Sequence, residues 1–217
     1  MNKIIIPEVR LAGPEEDALK RKREELKQRL LDGKKVMVGK HGSVTGSDGT
    51  PNIEIKGDVK LAVQQWYQKD PMLLAAEKAA MQHAFPHFLL DKLGDGRLCW
   101  VGSLNLGLGF RDWEVMAVYK NNHPQQEMGS SVQVFLVEPD IDELIEGLGE
   151  RPHHLLRDNV SGLSYLCTAR AQDVKASKTE STSAAQSIAM AVRWLMAFEL
   201  VLSGNLSWED FNKPGKI

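Results

Sequence analysis

The chain has only two cysteines in 217 residues, Cys99 and Cys167. That excludes a disulfide-stapled scaffold. Its histidines bring no second ligand pair with which to complete a zinc site, so no metal is expected. An excess of either charge is also lacking: the net charge of -2 argues against nucleic acid as the main partner. No long uninterrupted apolar run is present. Ile4-Ile5-Ile6 stops at Pro7, too short for a secretory segment, and Ile188 to Leu202 contains Arg193 and Glu199, which does not read as a membrane span. The expectation is a cytoplasmic protein with reduced thiols and no membrane partner. Gly39 to Gly46 is rich in glycine and serine but lacks the order of a phosphate-binding loop. It reads as a flexible turn, and no cofactor is implied.

What is present is ordinary soluble material, 42% hydrophobic and 26% charged, enough for one domain with an extension. The basic run Lys20 to Arg23 is flanked by Glu15, Glu16 and Asp17 on one side and by Glu24 and Glu25 on the other. It reads as a solvated helix face with charge pairs.

The chain divides in two. Residues 1–57 form an N-terminal extension, with a helix from Pro14 to Leu31 and short strands at Lys35–Val38 and Asn52–Ile55. The helix has a sparse apolar stripe (Leu19, Leu26, Leu30), so the extension should add little core. Residues 58–217 form the main domain. A helix is expected over Asp58–Lys69, and Asp70-Pro71 then caps another over Met72–Ala84. From Phe88 the apolar period changes from 3.6 to 2. Phe88–Asp91, Arg97–Val101, Trp113–Tyr119 and Val132–Val137 read as four strands, the first two joined by a turn at Gly94-Asp-Gly96. A short helix at Ile141–Leu148, a cysteine loop, the signal-poor stretch Ala169–Ser181 and a strong helix at Ser183–Leu202 complete the chain. The class is α+β: helix, four-stranded antiparallel meander, cysteine loop, C-terminal helix.

The two thiols sit in different surroundings. Cys99 alternates with Leu98 and Trp100 in an apolar strand, where a cysteine is usually a small buried hydrophobe. Cys167 closes a Gly/Ser/Asn-rich stretch that also holds His153, His154, Asp158, Asn159, Ser164 and Tyr165. A thiol there can act as a nucleophile and carry an acyl group as a thioester. The two histidines can brace the loop or take part in catalysis. Asp158 could steer an amine, and Ser164 or Tyr165 could donate to an oxyanion. Trp66, Trp100, Trp113 and Trp194 all fall in expected elements and read as core.

Over residues 71–217 this order resembles the ubiquitin-conjugating enzyme family, in particular its bacterial branch from antiphage operons for cyclic-oligonucleotide-based signalling. The residues that carry the resemblance run in sequence. They begin with Met81, Phe85-Pro86-His87-Phe88, Leu98–Gly102, Trp113–Tyr119 and His123-Pro124. Ser131–Pro139, Pro152-His153, Leu166-Cys167, Trp194-Leu195, Phe198-Glu199 and Gly204 follow. The resemblance implies that Cys167 accepts a ubiquitin-like protein, or another protein's C-terminus, as a thioester and passes it to an amine. It implies as partners a ubiquitin-activating-like adenylating enzyme and a ubiquitin-like protein or cyclic-oligonucleotide synthase. Eukaryotic relatives have a His-Pro-Asn triplet before the cysteine, and none exists here. Asn159 has the family asparagine's offset of eight residues from the cysteine, and His153 matches the bacterial Pro-His pair. Two other readings stand beside this one: a non-catalytic binding module of the same fold, and an unrelated cysteine hydrolase.

Overall fold

A computed structural model describes residues 14–32, 37–38, 43–45, 51–54, 64–107, 109–125, 130–148, 151–159, 161–168 and 182–213. Helix α1 (Pro14–Asp32) opens on Glu15, Glu16 and Asp17, whose charges suit the positive end of the helix dipole. Strands β1 (Met37–Val38), β2 (Ser43–Thr45) and β3 (Pro51–Glu54) pair antiparallel as a small sheet of their own. Ser43–Thr45 is thus a strand within a segment that reads as a turn. Helix α2 (Trp66–Lys69) starts at Trp66, because Gln65 is extended (φ -68°, ψ 151°) and forms a reciprocal capping box with Gln68. Residues 58–63 of the helix expected over Asp58–Lys69, and the stretch Ala169–Ser181, lie outside the described residues. Asp70 caps α3 (Pro71–Ala84) by accepting from Leu73 N–H.

The main sheet corrects the four-strand expectation to six. Its meander is as expected: β4 (Leu89–Lys92), β5 (Leu98–Asn105), β6 (Asp112–Tyr119) and β7 (Val132–Glu138). After α4 (Ile141–Leu148) the expected cysteine loop is instead a hairpin, β8 (Leu155–Arg157) and β9 (Ser164–Leu166). The spatial order is β4-β5-β6-β7-β9-β8, antiparallel throughout. Helix α5 (Ala184–Leu202) and the short α6 (Trp208–Phe211) close the chain.

Both faces of the sheet are covered, which is why its central strands are nearly continuous apolar runs. On one face Trp100, Trp113, Val115, Val134 and Leu166 pack with Met81 of α3 and with Ile188, Leu195 and Phe198 of α5. By length and composition α5 could cross a membrane, but that apolar side is buried against the sheet. On the other face Cys99, Val101, Met116, Phe135 and Tyr165 pack with Leu26 and Leu30 of α1.

The expectation that the extension adds little core is therefore corrected for α1. Its apolar stripe is thin because charge does part of the seating. Arg23 Nε reaches Glu114 Oε1 at 2.6 Å, Lys27 Nζ reaches Asp91 Oδ2 at 2.5 Å, and Lys22 pairs with Glu138.

Candidate active site

The register of one hairpin places the thiol. Strands β8 and β9 pair Leu155 with Leu166 and Arg157 with Ser164. Cys167 is the first residue beyond β9, and its N–H continues the ladder by donating to the His154 carbonyl at 2.7 Å. That bond brings the backbones of the sequence candidates Cys167 and His154 together. Cys167 is half-buried and His154 is exposed. His154 has φ +61°, left-handed backbone that is uncommon for a residue with a side chain.

The segment entering the hairpin is held from outside. Pro152 is buried, His153 N–H donates to Asn212 Oδ1 at 2.9 Å, and the His153 carbonyl accepts from Trp194 Nε1 at 3.1 Å. Arg151, Pro152, His153, His154 and Leu155 line a shallow depression of 460 Å³. A cavity of 490 Å³ elsewhere, between α1 and the β7–α4 connection, has Lys22 and Arg29 in its walls facing Glu138 and Asp140, and it contains neither thiol.

Asn159 is not at the thiol. It is exposed on the turn of the hairpin, at the opposite end of the β8–β9 ladder from Cys167. Asp158, the suggested guide for an amine, organises that same turn. Its carboxylate accepts from Ser161 N–H at 2.8 Å and from the Ser161 hydroxyl at 2.7 Å, while its carbonyl takes Gly162 N–H at φ +70°.

The two suggested oxyanion donors are engaged elsewhere as well. The Ser164 hydroxyl donates to Asp142 Oδ1 at 2.6 Å and accepts from Arg151 at 3.2 Å. Tyr165 is buried on the α1 face, 5.7 Å from the Phe135 ring. Trp194 and Asn212 are the residues of this site that sequence reading missed in that role. Trp194 carries the ordinary signature of a core helix, and nothing in the sequence links residue 212 to residue 153.

Cys99 is wholly buried beneath α1, and burial pushes its thiol up to about 12. It offers no thiolate near neutral pH. His123, from the family's His-Pro pair, is core rather than site. It lies 4.5 Å from Trp66 and 4.9 Å from Tyr119 between ring centroids, and burial lowers its imidazole to about 4. Among the described residues, no group of three or more His, Cys, Asp and Glu side chains is arranged to hold a metal.

Cys167 thus stands just past a strand end, bonded through its backbone to His154, which lines the open depression and follows a braced entry segment. The family model of type II CBASS E2 proteins matches residues 77–212, which run from within α3 to Asn212 and include every part of this arrangement. The chain belongs to that family. No curated protein matches it. Membership supports a role in CBASS antiphage defence and gives the chain E2-like kinship, with partners of the E1-like and effector kinds in the same pathway.

Proposed function

We propose that the protein is a thioester-forming acyl carrier of ubiquitin-conjugating-like fold, working in the cytoplasm, with Cys167 as the accepting thiol. A partner adenylating enzyme supplies an activated C-terminal carboxyl, from a ubiquitin-like protein or from a cyclic-oligonucleotide synthase. The Cys167 sulfur bonds to the carbonyl carbon as the donor's leaving group departs. An amine nitrogen then attacks that carbon, the C–S bond breaks, and an amide forms. The observation that carries this reading is the contrast between the thiols: Cys167 is half-buried just past a strand end, whereas Cys99 is wholly buried. A thioester is already activated, so such a site needs positioning and oxyanion support more than a lowered thiol pKa.

The test is a non-reducing gel after incubation with adenylating enzyme, ATP and carried protein. A thiol-sensitive adduct is expected with wild type and with Cys99→Ser, and none with Cys167→Ala. An adduct that survives Cys167→Ala sinks the assignment. The second reading, a binding module, draws on the placement of Asn159 on the hairpin turn, at the opposite end of the ladder from the thiol. Absence of any wild-type adduct with cognate partners decides for it.

A further inference from the structure

Resting on that transfer reading, we propose that Trp194 and Asn212 are positioning residues for the Cys167 thiol. Between them they grip both peptide groups that flank His153, one through its N–H and the other through its carbonyl. A backbone N–H needs an acceptor, which fixes the contacting atom of Asn212 as its carbonyl oxygen. The His153 side chain is exposed, so its own burial does not hold the segment in place. Next in sequence, His154 is in left-handed backbone, and its carbonyl takes the Cys167 N–H. Such a conformation persists where the surroundings over-determine it. Two side-chain hydrogen bonds on the preceding residue supply that determination. The line of control runs from the clamp to the His154 carbonyl and on to the amide of Cys167.

The clamp stands on a rigid base. Trp194 is buried, stacked on Phe198 at 4.9 Å and edge-on to Phe211 at 5.5 Å. Phe211 is buried at the end of α6, and Asn212 is the cap residue that follows it. Three aromatic rings therefore fix where both clamp atoms sit. Loss of one neutral hydrogen bond changes folding stability only slightly. A small misplacement of a reacting atom changes rate far more. The clamp should thus register in chemistry before it registers in melting.

The experiment uses the full chain and a glycine-terminated peptide thioester of mercaptoethanesulfonate as acyl donor. Cys167 sulfur attacks the carbonyl carbon, mercaptoethanesulfonate leaves, and added lysine then discharges the peptide as an amide, its amine proton passing to buffer. Alkylation of Cys167 by iodoacetamide and hydrogen exchange of the Cys167 amide are read in parallel. Trp194→Phe keeps the ring stack but deletes the donor, Asn212→Ala deletes the acceptor, and Asn212→Asp restores an oxygen.

In Trp194→Phe and Asn212→Ala, discharge to lysine should slow by about tenfold and Cys167 amide exchange should quicken by about fivefold. Alkylation should stay within about twofold of wild type, and Asn212→Asp should behave like wild type, since only positioning is changed. Unchanged exchange and discharge in both variants overturn the clamp. So does Asn212→Asp matching Asn212→Ala, or alkylation falling in step with discharge, because either marks a merely structural role. A wild type that takes no peptide from the donor overturns the transfer reading instead, and the exchange measurement still decides the clamp.

Discussion

The indole N–H of Trp113 donates to Glu199 Oε1 at 2.9 Å, and Arg111 Nε reaches the same oxygen at 2.7 Å. This joins β6 to α5 by a carboxylate that is itself buried. Glu199→Ala leaves the indole N–H buried without its acceptor and should cost about 3 kcal/mol. Thermal unfolding should then start roughly 6–12 °C lower for a chain of this size. Glu199→Gln keeps an oxygen for Trp113 and should lose less than half of that. Equal melting of the two variants would mean that the charge, and not the hydrogen bond, is what matters.

Leu30 is almost fully buried between α1 and the second face of the sheet. Leu30→Ala should destabilise by about 2–4 kcal/mol through lost burial and the cavity left behind. Cys99 lies in the same cluster, so the variant should also make that thiol reactive toward maleimide under native conditions. Removal of residues 1–32 should do both more strongly. A truncated chain that melts with wild type and keeps Cys99 protected would show that α1 adds no stability.

Acid should weaken the fold through His123. Its imidazole ionises near 4 when folded, below its ordinary value of 6.5, because burial penalises the charged form. The unfolded chain therefore binds the extra proton first as pH falls. The stability contribution is present above about pH 6.5 and is lost progressively toward pH 4. Between pH 7.5 and 4.5 this amounts to roughly 2–3 kcal/mol. Glu77, whose Oε1 lies 3.7 Å from His123 Nε2, acts in the opposite direction. Burial raises its carboxyl above the ordinary range despite bonds from Ala184 N–H and the Tyr119 hydroxyl, so it favours the folded state at lower pH. His123→Gln isolates the histidine. Its stability should fall less steeply with acid than wild type, as read by urea unfolding at several pH values. Parallel slopes would remove His123 as the cause.

Asn159→Ala should leave both adduct formation and transfer within about twofold of wild type, because catalytic support acts over hydrogen-bond reach. The residue lies on the turn of the hairpin, at the opposite end from the thiol. A strong loss of transfer to amine, with loading intact, would restore the role that its spacing from Cys167 suggests.

The contrast between Asn159 and His154 shows what sequence could carry here. The meander from Leu89 to Glu138 is legible because each strand is long enough to display its apolar pattern, and the turn at Gly94-Asp-Gly96 is plain. Helix α5 is legible from its aligned Ile188, Ala191, Leu195 and Phe198. The hairpin is not, since Leu155–Arg157 and Ser164–Leu166 have three residues each, too few to show a period. Counting eight residues back from Cys167 therefore lands on the turn, whereas the ladder itself selects His154. The seating of α1 was hidden for another reason. Its partners Glu114, Asp91 and Glu138 are charged and distant in sequence, and ion pairs leave no periodic trace.

Among the described residues, strand β9 meets β7 through one paired position, Val134 with Leu166, whereas β5 and β6 share seven. The leaf of sheet next to Cys167 is thus joined to the body more by side chains than by backbone pairing, with Leu155 and Leu166 in one core and Leu163 and Tyr165 in the other. A truncation at any of these four positions should therefore disturb the setting of the thiol and the melting temperature together.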